Sequence, residues 1–229
     1  MKKVLSLVLI ITFGFVVLTS STPKKKKVKM FKGTISYTLS YDGDTFTPLQ
    51  ISKMPKKLDV KMYGKMTSVT MSDGPAVVTK ISRPDDSVEI VLIDLGLKKA
   101  GITRKDTSKN KEMFTTTIDY SDDTKVIAGY KCKKAVVTFT PKDSVDAEEQ
   151  TLAVFYSPDF SGVEMNADGP YEGITGLLLE FYQVDPGLTT KFVATDIKKG
   201  GVKELDFFFQ SDYKEFKSGE ELMKYLQGQ

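Results

Sequence analysis

The stretch KVIAGYKCKKAVVTFTP, residues 125–141, holds the single cysteine of the chain, with Lys131, Lys133 and Lys134 beside it. Positive neighbours lower a thiol's pKa and raise the share of thiolate, the nucleophilic form. The stretch also reads as β-strand, in which Val126, Ala128, Tyr130 and Cys132 share one parity and Ala135, Val137 and Phe139 the other. On an apolar side a free thiol behaves as a small hydrophobe, and this packing role is the expectation for Cys132. An intramolecular disulfide would need a second cysteine. A strand cannot change its buried face without gaining a residue. The parity switch therefore predicts a β-bulge or bend at Lys133 and Lys134, with Gly129 as a second kink point.

Other chemistries are short of parts. The chain has no histidine, which excludes a serine or cysteine nucleophile activated by imidazole and, with one cysteine, the usual zinc sites. No P-loop or dinucleotide fingerprint occurs. DGDTFT, 42–47, offers calcium-type oxygens. Thr47, however, stands where an EF-hand loop needs glycine, and no glutamate follows at the twelfth position, so the segment is read as a turn. The pairs Asp85–Asp86 and Asp122–Asp123 would have to act as the two acids of a glycosidase. Both lie in turn sequences, where aspartate is favoured for its local backbone hydrogen bonds. Tryptophan, a common stacking platform for sugars, is absent. The chain is read as a non-enzyme with no cofactor and no metal.

The elements that would position any site are strands. FKGTISYTLSY, 31–41, alternates without a break, with Phe31, Ile35, Tyr37 and Leu39 on one side and Lys32, Thr34, Ser36 and Thr38 on the other. A strand wet on one face belongs to an antiparallel sheet. Similar runs follow at 58–63, 68–71, 76–81, 88–94, 114–120, 151–156, 177–184, 191–197 and 204–209, separated by turn sequences such as SDGP, RPDD and VDPG. Together these predict a mainly β fold with minor helix: a curved antiparallel sheet or half-barrel of about ten strands with hairpin connections. One helix is signalled at SGEELMKYL, where Ser218 and Glu221 form a capping box and Leu222, Tyr225 and Leu226 form an apolar stripe. This C-terminal helix is expected to shield the greasy side of the sheet.

The N-terminus carries Lys2 and Lys3, an apolar run from Val4 to Leu18 and small residues at 19–21, the plan of a cleaved secretory signal peptide over residues 1–21. The run is short for a membrane-spanning helix, which needs roughly 20 apolar residues. Lysines 24–27 would also sit on the wrong side of such an anchor. No cysteine follows the run, so a lipoprotein is not expected. Losing Lys2 and Lys3 lowers the formal charge from +3 to +1. Residues 22–30 then form a basic linker, solvated or in peripheral contact with anionic lipid, ahead of a single β-rich domain over 31–229. No basic stripe with interleaved aromatics appears elsewhere, so nucleic acid is not an expected partner.

Two segments resemble a known group. Ile127, Gly129, Tyr130, Cys132, Lys134 and Ala135 resemble the I-x-G-Y-x-C-x-K-A signature of exported Gram-negative envelope proteins gathered as domain-of-unknown-function family 4412 and the related GLPGLI family. Asp168, Gly169, Pro170, Gly173, Gly176 and Leu177 resemble the D-G-P and G-L-P-G-L-I motif of the second, with Thr175 in place of its proline. Phe155, Tyr156 and Pro158 are similar to the W-Y-T-P strand before it, with Phe155 where tryptophan is usual. The resemblance implies a periplasmic domain whose fold is similar to the outer-membrane lipoprotein carriers, without catalytic residues.

Strands 88–94 and 177–184 carry apolar side chains of both parities, so both faces must be covered, by protein or by a ligand. Leu177, Leu179, Phe181, Val137 and Phe139 are the candidate lining of an apolar interior that shelters a lipid or acylated peptide. The alternative is a filled core in a structural or interaction module that binds an envelope protein.

Overall fold

The computed structural model describes residues 30–73, 75–105, 113–142, 147–160, 166 and 169–228. The expected signal peptide, nearly all of the basic linker and Asp168 lie outside them. Twelve strands form one open sheet: β1 (Lys32–Asp42), β2 (Lys57–Tyr63), β3 (Met66–Asp73), β4 (Ala76–Arg83), β5 (Val88–Asp94), β6 (Lys99–Lys105), β7 (Phe114–Ile127), β8 (Tyr130–Pro141), β9 (Gln150–Ser157), β10 (Leu177–Asp185), β11 (Leu188–Lys199) and β12 (Lys214–Phe216). Their spatial order is β12-β6-β5-β4-β3-β2-β1-β11-β10-β9-β8-β7. Neighbours are antiparallel except β12, which runs parallel to β6. The mainly β, open, curled architecture agrees with the alternation of the sequence.

The count exceeds the expected ten because β6 is a weakly apolar run interrupted by Gly101 and β12 spans three residues. The run 204–209 is not a strand. Glu204–Phe207 is a 3-10 turn in which the Asp206 carboxylate accepts from the Lys203 N–H at 2.9 Å. Its Phe207 is buried with Val202 against Ile81, Ile90 and Leu92, so one face of β4 and β5 is covered by this irregular segment. A short helix missing from the sequence reading, α1 (Pro48–Lys53), follows β1. It starts on a capping box in which the Thr47 Oγ1 accepts from the Gln50 N–H at 3.3 Å and the Gln50 Oε1 accepts from the Thr47 N–H at 2.8 Å.

The cysteine stretch is a hairpin, not one strand. Ala128 and Gly129 both have positive φ, 48° and 81°, as a two-residue primed turn requires, so Gly129 is the turn rather than a kink. The irregularity in β7–β8 pairing does fall opposite Lys133 and Lys134, but the additional residues, Asp122 and Asp123, belong to β7. Along β8 the pairing with β9 is unbroken from Lys133 to Phe139. No residue is gained in β8. Its two parities are instead buried in two different clusters, Cys132 in one and Ala135, Val137 and Phe139 in the other.

The first cluster explains the curl. It joins Ile35, Tyr37 and Leu39 of β1, Leu58, Val60 and Met62 of β2 and Phe192 of β11 to Ile127, Cys132, Leu177 and Leu179 of the far wing. Strand β7 thus returns to touch β11, four places away in the sheet. Lys199 sits over the Tyr130 ring at 5.1 Å, and the buried Glu180 accepts from Lys125 of β7 at 2.5 Å and Lys191 of β11 at 2.7 Å. Burial alone would raise the Glu180 carboxyl, but hydrogen bonds and charge from Lys125 and Lys191 hold it below the ordinary carboxylate value.

The second cluster fills a split between β9 and β10, which pair only from Leu177 to Glu180. Beyond that point the Tyr171 hydroxyl replaces the missing strand, accepting from the Tyr182 N–H at 3.0 Å and donating to the Tyr182 carbonyl. Gly176, at φ 140°, brings the Tyr171 loop back to β10, and a Cβ there would lie 2.5 Å from the Ser157 carbonyl oxygen.

The terminal helix α2 (Gly219–Gln227) starts on Ser218, whose Oγ accepts from the Glu221 N–H at 3.2 Å, and ends at Gly228. It packs on β6 and β12 at one margin of the sheet rather than across the large core. Among the described residues no helix is long and apolar enough to cross a membrane.

Candidate functional site

The five residues expected to line a cavity are packed side chains. Leu177 and Leu179 are completely buried in the first cluster, and Val137 and Phe139 are buried in the second. Phe181 joins the two, stacking on Phe192 at 4.7 Å and meeting Tyr37 and Tyr171 edge-on at 5.6 and 6.0 Å. Cys132 is fully buried, and burial pushes its thiol up to about 11 despite the nearby Lys125 charge and a backbone hydrogen bond from Ile127. That environment suits packing and opposes nucleophilic use. Tyr130 packs against the same cluster and meets Phe160 at 4.7 Å. Gly173 offers its carbonyl to the Tyr120 hydroxyl at 2.7 Å. Tyr130, Cys132 and Gly173 thus help hold the wing together.

Open apolar surface lies elsewhere, on a face that register locates. Residues directly opposite in a ladder share a face. Tyr37 stands opposite Leu58, Leu58 opposite Met71, Met71 opposite Val78, Val78 opposite Ile93 and Ile93 opposite Ala100. The next row runs from Ile35 through Val60, Val69, Lys80 and Val91 to Ile102. The face that builds the first cluster therefore continues across β3 to β6. Its cover does not extend evenly. Leu58, Val60 and Met62 are buried, whereas Val69, Val78, Val91, Ile93 and Ile102 are half-buried and Met71 is exposed, before Ala100 at the far end is buried again.

Two walls flank this face. On one side stands the β7–β10 wing over β1 and β2. On the other, Phe216 lies opposite Ile102 in register and meets Tyr225 of α2 at 5.1 Å, which sets the helix on the same side of the sheet. The reverse face of β4 and β5 is already occupied by Val202 and Phe207.

A charged group completes the face. Glu89, opposite Arg104 on the row beside Val91, is buried, yet its carboxylate accepts from Lys80 at 2.5 Å, from the Arg104 Nε at 2.7 Å and from the Arg104 Nη2. Burial would raise its carboxyl, but these two cations hold it below the ordinary value. The sequence reading missed this triad. Its signal was present in the parity that puts Lys80, Glu89 and Arg104 with Val78, Val91 and Ile102.

Two polar depressions lie away from this face. One, of about 410 Å³, is lined by Lys53, Lys56, Asp59 and Thr70 among others. The second, of about 810 Å³, is lined by Asp42, Asp44, Glu148, Glu149 and Asp185 among others. Among the described residues no cluster of three or more histidine, cysteine, aspartate or glutamate side chains is placed to hold a metal ion. No protein-family profile matches the chain, and no curated protein matches it significantly.

Proposed function

We propose that this protein is a non-enzymatic binding domain of the cell envelope, exported to the periplasm by a cleaved signal peptide, that takes up an apolar ligand such as a lipid or acylated peptide. The ligand site we assign is the face formed by Val69, Met71, Val78, Val91, Ile93 and Ile102, not the filled clusters around Leu177 and Phe181. One observation carries this reading: a single continuous face is buried at β2 and open at β3. Complete burial of one aliphatic side chain is worth about 1.5–3 kcal/mol, so several half-buried ones offer substantial driving force to a partner that covers them. Titration of the mature chain with a fluorescent fatty acid tests it. Saturable uptake that Ile93→Asp abolishes, with the fold retained, is expected. No uptake, together with no lipid in mass spectra of the purified protein, would overturn it.

A second reading, an interaction module for an envelope protein, is favoured by Leu97, which is wholly exposed at the tip of the β5–β6 hairpin. A photocrosslinker at position 97 that repeatedly captured one envelope protein, with no lipid uptake, would select this reading instead.

A further inference from the structure

We infer that the ligand is a single-chain fatty carboxylate whose charged end is held by Lys80 and Arg104. This rests on the reading that the β3–β6 face binds an apolar ligand, and it adds the ligand's charge, chain number and orientation.

Width argues for one chain. The apolar side chains occupy two adjacent rows, Met71–Val78–Ile93 and Val69–Val91–Ile102, with Lys80 interrupting the second. Same-face rows lie two residues apart along a strand, about 7 Å, which is one alkyl chain wide. From β3 to β6 the rows extend across three inter-strand spacings, about 14 Å. That length accommodates most of an extended alkyl chain between the two walls.

Charge argues for an anion. Two cations grip one buried carboxylate, so the group carries a net positive charge, with Glu89 and Arg104 on the row beside the apolar ones and Lys80 within the second. The cations are its outward members: Lys80 and Arg104 have side-chain exposures of 54 and 59 %, against 4 % for Glu89. Their bonds to Glu89 do not exhaust them. Toward the described residues, Arg104 uses two of its five guanidinium N–H donors and Lys80 one of its three ammonium donors. Glu89 holds both side chains against the sheet, so a carboxylate meets donors already ordered, which lowers the entropic cost of gripping it.

The test titrates the mature protein at pH 8 with palmitate, hexadecanol and a two-chain phosphatidylglycerol. The variants are Lys80→Gln, the neutral triad Lys80→Gln/Glu89→Gln/Arg104→Gln, and Ile93→Asp. The triad variant keeps hydrogen-bonding partners without leaving a buried charge alone, and Lys80→Gln leaves the Arg104–Glu89 pair intact should the triad fail to fold. A half-exposed charged hydrogen bond predicts that palmitate binds about tenfold tighter than hexadecanol. That ratio falls about threefold in Lys80→Gln and to about one in the triad variant, while hexadecanol affinity stays the same. Added salt narrows the ratio in the unmodified protein. Equal affinities for palmitate and hexadecanol, both lost in Ile93→Asp, would overturn the anionic end and leave the binding face standing. Preference for the two-chain lipid would overturn the single chain. Absence of binding by all three would overturn both the inference and the reading beneath it.

Discussion

Met71 stands directly opposite Leu58 across the β2–β3 ladder, yet Leu58 is 7 % exposed and Met71 37 %. Direct cross-strand neighbours on one face meet the same environment unless a covering layer ends between them. Here the β7–β10 wing ends there. The contrast gives the first prediction. Val78→Thr and Met71→Thr shift stability by less than about 1 kcal/mol, since little cover is lost, whereas Leu177→Ala costs about 2–5 kcal/mol. Chemical denaturation of the three variants checks this, and equal losses would show that the β3 side of the face is covered after all.

Glu180 ties the returning β7 to β10 and β11 through Lys125 and Lys191. Its folded-state carboxyl lies below its ordinary value. The stability it contributes is therefore fully present above the unfolded value of about 4.3 and is lost as pH falls through the folded value. Melting temperature should hold from neutral pH to about 5 and then decline. Glu180→Gln lowers stability near neutrality by about 1–2 kcal/mol, because its lysine partners keep access to water, and flattens the acid decline. An unchanged acid slope would contradict the clamp.

Cys132 is enclosed and its thiol is pushed up to about 11. A thiol reagent at pH 8 should react only as fast as the native state opens, and quickly once denaturant is added. Cys132→Ser places a hydroxyl in an apolar cluster and should cost about 1–3 kcal/mol. Prompt reaction in the native state would restore the nucleophilic role considered for this residue.

Gly129 and Gly176 both have positive φ, but their surroundings differ. A Cβ on Gly129 meets nothing within 4 Å. Gly129→Ala should therefore cost about 1–2 kcal/mol from backbone conformation alone. A Cβ on Gly176 meets the Ser157 carbonyl oxygen at 2.5 Å, so Gly176→Ala should cost more, by separating the start of β10 from the end of β9. Hydrogen exchange at Leu177 and Leu178 would report that separation, and equal effects from the two substitutions would refute it.

Local periodicity made much of this fold legible. The alternation in β1 names its buried residues, because side-chain direction in a strand has a fixed period of two. The Ser218 cap marks the terminal helix, since a cap needs only residues three positions apart. The Thr47–Gln50 box was equally readable and would have revealed α1. Where parity met long-range pairing, the same logic failed. In residues 125–141 two apolar parities looked like one face switching sides, although they are a hairpin whose second strand is buried in two clusters. In 204–209 three consecutive phenylalanines resembled a strand, although Phe207 needs only to plug the reverse face of β4 and β5.

The sequence by itself determined that the chain forms many half-wet strands and a capped terminal helix, and that it lacks imidazole, a second thiol and tryptophan. These are properties of residue type and of spacings shorter than one element. Only the tertiary structure decided which apolar faces are covered. Burial of Val91 or Ile93 depends not on their own neighbours in the chain but on where the β7–β10 wing, about twenty residues or more away along it, stops. Curl is set by distant bulges, by the Tyr171 insertion and by Glu180 pairing, and these bring together groups whose separation in sequence carries no periodic trace. For the same reason the apolar surface proposed for the ligand is on β3–β6 and not at Leu177, Leu179 and Phe181, where the local pattern alone had placed it.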